Sequence, residues 1–385
     1  MGIMSKYNAH LQEVYPVLPF EPVKGDGVFL KDEKNKKVLD LYGGHAVTCL
    51  GYNHKKLITA ITNQAKNLLF QSNAVIMKSR DDAATKLAEF SPKNLNKVFF
   101  VNSGAEANEN AIRIALQLTG RKKIIAIENA FHGRTAAAGA VTWGSQKKWY
   151  GFPSTPMKVE FIPRNDIDSL KKAVDKDTAA VIIEPIQGVA GAYKFSNEFI
   201  NSIQHQCKKN KTLLIFDEVQ TGMGRLGVPF GADYFQVTPD LLTVAKSLAG
   251  GLPCGAVIMK EKIIKNLGAG SLGTTFGGGP LSSVAISAVI DTIIDDNLMD
   301  NINSVSKYLF STCKIDPVID IQGAGFLIGL KTKIPANVLR DKLLKKNIMT
   351  GTSSDPNILR LLPPYILEKS HIEILSSALK EINNE

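Results

Sequence analysis

No stretch of the chain approaches the roughly 18 consecutive apolar residues of a membrane-spanning helix, so no membrane partner is expected. The start, MGIMSKYNAH, lacks an apolar segment followed by a small-residue cleavage site and does not read as a secretory signal. Gly2 does not open a myristoylation motif either, because the hydroxyl falls one place early, at Ser5. Cysteine is scarce. Cys49, Cys207, Cys254 and Cys313 stand far apart with no CxxC pair, which argues against a disulfide scaffold or a zinc site and fits a reducing, cytoplasmic setting. No GxxxxGK[ST] loop occurs, and no metal is expected. The net charge is +10, from 46 Lys+Arg against 36 Asp+Glu, but the lysines are scattered in pairs such as Lys55-Lys56 and Lys171-Lys172. Only Lys208, Lys209 and Lys211 approach a cluster, without interleaved aromatics, so a solvated surface is the reading and no nucleic-acid partner is expected.

What is present is 385 residues with 44% hydrophobic content, enough for two packed domains. Apolar, β-branched runs recur at 97–101, 123–127, 158–162, 179–183, 212–216 and 255–259, with helix-like spacing between several of them, as at 105–119 and 196–209. Fully apolar strands alternating with helices predict an α/β domain over 50–285, its sheet mostly parallel with helices on both faces. Residues 1–49 carry two strand-like runs, VFLKD and KVLDL, and 286–385 carry helices around GAGFLIGL and NILRLLPP. Neither end has the apolar content to close a core alone, so the two are expected to build one smaller α+β domain together.

Four segments carry chemistry. VNSGAEANENAIRIA is a strand that turns at Ser103, Gly104 and Ala105 into a helix, whose first N–H groups and positive dipole end favour a phosphate. Taken alone, Ser103 with Glu106 is also an ordinary N-cap. LLIFDEVQTGMGR ends an apolar strand in Asp217 and Glu218, at the sheet edge where α/β proteins bind ligands. In LLTVAKSLAGG, Lys246 follows an apolar run, which favours a desolvated, nucleophilic amine; a lysine snorkelling its stem over apolar surface is the commoner outcome for a lone one. ENAFHGRT places Phe131, His132 and Arg134 after the run at 123–127, an aromatic face and a carboxylate-binding guanidinium. Together a phosphate cradle, an aromatic, a buried carboxylate and a lysine are the parts that hold pyridoxal phosphate.

These blocks, together with YPVLPFEPVKGDGVFLKDEKNKKVLDLYGGHAVTCLG, EPIQGVAG, GTTFGGGPL and LRLLPP in this order, make the chain similar to the class-III pyridoxal-phosphate aminotransferases over nearly its whole length. Within them it most resembles the acetylornithine aminotransferases. The resemblance implies a fold-type I transferase with pyridoxal 5'-phosphate as cofactor. It makes Lys246 the Schiff-base lysine and proton shuttle, and Asp217 the partner of the pyridinium nitrogen. Gln220 bonds the ring phenolic oxygen, and Val219 and Phe131 sandwich the ring. Ser103, Gly104 and Ala105 hold the phosphate, joined by Thr275 of a second subunit, which implies a homodimer with shared active sites. Arg134 and Thr274 contact substrate, Tyr15 lines the entrance, and Glu184 and Arg360 form a paired switch in which Glu184 holds or releases the arginine. His45 stands where such proteins often carry an apolar or aromatic residue, and is either a substrate contact or a structural histidine. Gly279 and Leu272 are further departures, standing where Asn and His are usual. The implied reaction moves the terminal amine of N2-acetylornithine or N-succinylornithine to 2-oxoglutarate, as in arginine biosynthesis. The alternatives are an ornithine, 4-aminobutyrate or other ω-amino-acid transaminase, or a non-catalytic pyridoxal-phosphate-binding or regulatory protein.

Overall fold

The computed structural model describes residues 10–12, 14–268 and 270–384. At its centre lies a seven-stranded sheet. In spatial order its strands are Leu95–Val101, Gly255–Lys260, Leu241–Val244, Leu213–Asp217, Thr178–Ile183, Lys123–Ile127 and Lys158–Ile162. Only Gly255–Lys260 runs against its neighbours; the other pairings are parallel. Both faces are covered, as the expected α/β layering requires. Ile125, Ile127, Val181, Ile183, Leu214 and Phe216 enter one apolar cluster. The intervening Ile124, Ala126, Ala180, Ile182 and Ile215 enter the other. That alternation is the two-residue period of a strand buried on both sides. The strand Leu241–Val244 was legible only as an apolar run before Lys246.

The two chain ends meet in one sheet. Lys24–Asp26, Phe29–Lys31 and Lys37–Asp40 form an antiparallel meander, and Ile348–Met349 adds to it in parallel, with Ile348 opposite Leu39. A second four-stranded sheet joins Val318–Ala324, Leu327–Thr332, Ile358–Leu361 and Gly351–Thr352. One apolar cluster runs from Val28 through the large sheet to Ile382, so the ends share a core with the rest of the chain. The boundary expected at 286 needs correcting. It cuts through the helix Pro280–Asp295, whose Ala285, Ile286 and Val289 are buried in that shared core.

Five loops leave the carboxyl edge of the parallel strands side by side. They carry Ser103, Phe131 to Arg134, Glu184, Asp217 to Gln220, and Lys246. This is the edge at which open α/β sheets bind ligands.

Candidate active site

The helix Gly104–Thr119 begins with Ser103 in extended backbone, its hydroxyl accepting from Glu106 N at 3.1 Å. The Glu106 carboxylate reaches back to Asn102 N at 2.8 Å. This reciprocal cap satisfies the third N–H of the helix and leaves those of Gly104 and Ala105 with no intrahelical acceptor. Glycine is needed at 104, because a Cβ there would lie 2.9 Å from both Val219 methyl carbons.

Asp217 closes its strand opposite Thr243 in the parallel register. Its Oδ2 accepts from Asn108 Nδ2 and from His132 Nδ1, both at 2.7 Å, and its Oδ1 accepts from Val219 N at 3.0 Å. Thr243 Oγ1 donates to Asn108 Oδ1 at 2.6 Å, and Asn108 Nδ2 also reaches the His132 carbonyl at 2.7 Å. A carboxylate offers about four acceptor sites, so these three donors lock the group and leave one position open. Glu218, the next residue, faces elsewhere. It accepts from Gly231 N and Ala232 N, each at 2.7 Å, and from Thr221 Oγ1 at 2.6 Å. Burial pushes its carboxyl up to about 7, and its work is to hold the start of the helix Gly231–Phe235.

Lys246 opens a 3-10 turn with φ 46°, a left-handed backbone that costs a non-glycine residue about 1–3 kcal/mol. Among the described residues its amine has no hydrogen bond or ion pair. Burial brings its pKa down to about 8, against the opposing pull of Asp217. Beneath the turn, the buried Arg225 donates to the carbonyls of Pro363 at 2.5 Å and Ala46 at 3.5 Å, and lies 4.6 Å over the Tyr365 ring.

A cavity of about 530 Å³ joins these groups. Its walls include Tyr15, Ser103, Gly104, Ala105, Phe131, Arg134, Glu184, Asp217, Val219, Gln220 and Lys246. The Gln220 Oε1 is buried and without a partner among the described residues. Arg134 is exposed, 6.0 Å from the Tyr15 ring and 5.1 Å from that of Trp149, with no ion pair among the described residues.

Four expected residues lie outside those walls: Thr274, Thr275, His45 and Arg360. Thr274 accepts from Gly277 N at 3.0 Å and gives its carbonyl to Asn73, so its polar groups serve the local turn. Thr275 is exposed. His45 sits in a left-handed turn with φ 65°, its ring 5.7 Å from that of Tyr15. Glu184 and Arg360, expected as a switch that holds or releases the arginine, make no direct ion pair among the described residues. The Glu184 oxygens accept from Phe131 N and Gly188 N, each at 3.0 Å, and burial raises the carboxyl above the usual carboxylate range. Arg360 instead donates to Thr352 O at 2.7 Å, to Gly188 O at 3.3 Å and to the Tyr42 hydroxyl at 2.8 Å. Glu184 and Arg360 therefore meet through the two sides of Gly188. Gly279 is the N-cap of Pro280–Asp295 and supplies no side-chain bond.

Sequence reasoning passed over Asn108, His132 as the partner of Asp217, and Tyr42. A signal existed for the first: Asn108 is a polar residue on the helix face that otherwise buries Ala107, Ala111, Ile112 and Ala115.

The family model of class-III aminotransferases matches residues 11–382. The chain is 39% identical to the acetylornithine aminotransferase of Methanocaldococcus jannaschii, over 98% of this chain and 96% of the relative. Its fold matches the crystal structure of ornithine aminotransferase from Toxoplasma gondii with a TM-score of 0.91, at 26% identity and covering 97% of this chain and 93% of that one. It also matches acetylornithine aminotransferase from Elizabethkingia anophelis with a TM-score of 0.85, at 30% identity and covering 98% and 97%.

Proposed function

Since the chain belongs to the class-III aminotransferases, which are pyridoxal-phosphate enzymes, we propose that it transfers the terminal amine of an N-acylated ornithine to 2-oxoglutarate. The residues on the cavity wall fit the cofactor. The free N–H groups of Gly104 and Ala105 and the Ser103 end of the helix suit a phosphate, Phe131 and Val219 suit the two faces of a ring, and Gln220 suits its phenolic oxygen. Asp217 has one acceptor site left for a ring N–H, and that unfilled position on an otherwise locked, buried carboxylate is the observation that carries the reading. Once bound, pyridoxal phosphate supplies an electron sink for the bond that breaks at the amine-bearing carbon.

The chain supplies the rest. Lys246, with its lowered pKa, gives and takes a proton near neutral pH. The Asn108–His132–Thr243 network keeps Asp217 fixed and excludes water from it. Arg134, free of ion pairs, takes the carboxylate of the amine substrate. Arg360 takes the α-carboxylate of the keto acid.

The acyl group matters electrostatically. Free ornithine would bring an α-ammonium toward the Arg134 guanidinium, whereas the acylated nitrogen is neutral, and two like charges about 4 Å apart near a protein surface repel by roughly 1–4 kcal/mol. N-acetyl- or N-succinylornithine is therefore expected to exceed free ornithine by at least about tenfold in kcat/KM, roughly 1.4 kcal/mol. Steady-state rates with the three amines at fixed 2-oxoglutarate test this. Equal or better turnover of free ornithine would move the assignment to an ornithine or ω-amino-acid transaminase.

A dimer belongs to the same proposal. Thr275 lies on the surface beside Phe276, 64% exposed, whose ring is 5.1 Å from that of Phe70. Leu69, next to Phe70, and Ile76 in the same segment are 63% and 95% exposed, and a second copy of the chain covering this apolar surface would bring Thr275 to the neighbouring phosphate site. Mixing Lys246→Ala with Thr275→Glu, each inactive alone, is expected to restore about a quarter of wild-type activity once subunits exchange, since each mixed dimer regains one site. No recovery after confirmed exchange would contradict shared sites.

A further inference from the structure

Arg360 is buried, and among the described residues no carboxylate pairs with it. Of its three acceptors, Thr352 and Gly188 offer backbone carbonyls, and Tyr42 is the one side chain. Because a guanidinium only donates, the Tyr42 hydroxyl must accept from Nη2. Burial raises the pKa of Tyr42, so the hydroxyl keeps its own proton, and the nearest acceptor for it is His45 Nδ1 at 3.2 Å. That bond requires a neutral imidazole with its proton on Nε2. Burial, then Arg360 and Lys246, lower the His45 pKa and favour that form.

The backbone is shaped for this contact. Gly43, Gly44, His45 and Ala46 all have left-handed φ, between 54° and 67°; at His45 and Ala46 this is strained backbone, which persists where surrounding contacts impose it. The turn brings the His45 ring to 4.9 Å from that of Tyr42. On its other side Tyr42 packs against Gly351, where a Cβ would lie 1.9 Å from the ring. The phenol is thus fixed by the strand that pairs with the one carrying Arg360.

We infer that Tyr42, accepting from Arg360 Nη2 and donating to His45, is the positioning residue that sets the Arg360 guanidinium for the carboxylate of the keto acid. Three of the five N–H groups of Arg360 are used by Thr352, Gly188 and Tyr42. One remains on each of Nη1 and Nη2, the pair that a carboxylate takes in a two-pronged contact. The inference rests on the reading that Arg360 binds the keto acid, and it assigns the holding of that arginine to a phenol in addition to any action of Glu184.

Tyr42→Phe keeps the ring packed on Gly351 and removes only the hydroxyl. With the two half-reactions of the cofactor-loaded enzyme measured separately in single turnover, the half-saturating 2-oxoglutarate concentration is expected to rise about tenfold. The N-acetylornithine half-reaction should change by at most about threefold. His45→Ala should shift 2-oxoglutarate in the same direction, by about threefold. Arg360→Lys separates the layers of the argument. If it leaves 2-oxoglutarate saturation unchanged, the assignment of Arg360 to the keto acid fails and the inference falls with it. If it raises that concentration while Tyr42→Phe does not, or if Tyr42→Phe slows both half-reactions alike, the positioning role alone is overturned.

Discussion

Lys246→Ala is expected to lower turnover by at least about four orders of magnitude, the scale seen when a nucleophile that works as part of a unit is removed. The residue sits in a left-handed backbone, follows the buried strand Leu241–Val244, and has its pKa brought down to about 8 by burial. Among the described residues no other lysine lines the cavity. Its replacement leaves the phosphate cradle and Asp217 in place, so the variant should still retain cofactor, without a covalent link to the chain. The pKa also sets a pH dependence. The rate at which cofactor-free enzyme captures pyridoxal phosphate should rise as the amine loses its proton and level off above about pH 8. Stopped-flow absorbance of the reconstitution reads this, and a plateau delayed to the range of free lysine would show that the amine is not desolvated.

Asp217→Ala carries the second large effect, and two independent observables follow from it. The first is chemical: the ring nitrogen loses the carboxylate that holds its proton, and the interaction lost is one strengthened by the low local dielectric. Turnover with cofactor saturating is expected to fall about a thousandfold. The second is structural. One N–H of the Asn108 amide, whose other N–H keeps the His132 carbonyl, and the His132 imidazole lose their buried acceptor, and each such group costs about 1–3 kcal/mol. Denaturant titration should therefore show a loss of about 2 kcal/mol or more in the same variant. Turnover within a few-fold of wild type would assign the ring nitrogen to another residue. Unchanged stability would contradict the network.

The large sheet was legible because its inner strands are apolar on both faces, as in the fully buried run at 123–127, and both this run and the edge run at 158–162 appear in the structure with those bounds. LLTV was not separable from the lysine turn that follows, since an apolar run of that length carries no periodicity. The site was legible where chemistry demands a residue type at an element end. Lys246, Asp217 and the Ser103 cap all lie on the cavity. It was not legible where contacts join distant segments. His132 reaches Asp217 from a loop 85 positions away, and Tyr42 reaches Arg360 across 318. Glu184 and Arg360 were expected as a switch in which the carboxylate holds or releases the arginine. In the structure the backbone N–H groups of Phe131 and Gly188 occupy the carboxylate, contacts that neither EPIQGVAG nor LRLLPP announces. His45 likewise draws its place from four consecutive left-handed residues, which two glycines in YGGHA permit but do not specify.

The most direct test is borohydride reduction of the cofactor-loaded wild-type enzyme followed by peptide mapping. The account predicts a single pyridoxyl label on Lys246, in the peptide containing LLTVAKSLAGG, and none in Lys246→Ala treated alike. A label on any other lysine, or none on the wild type, would contradict it.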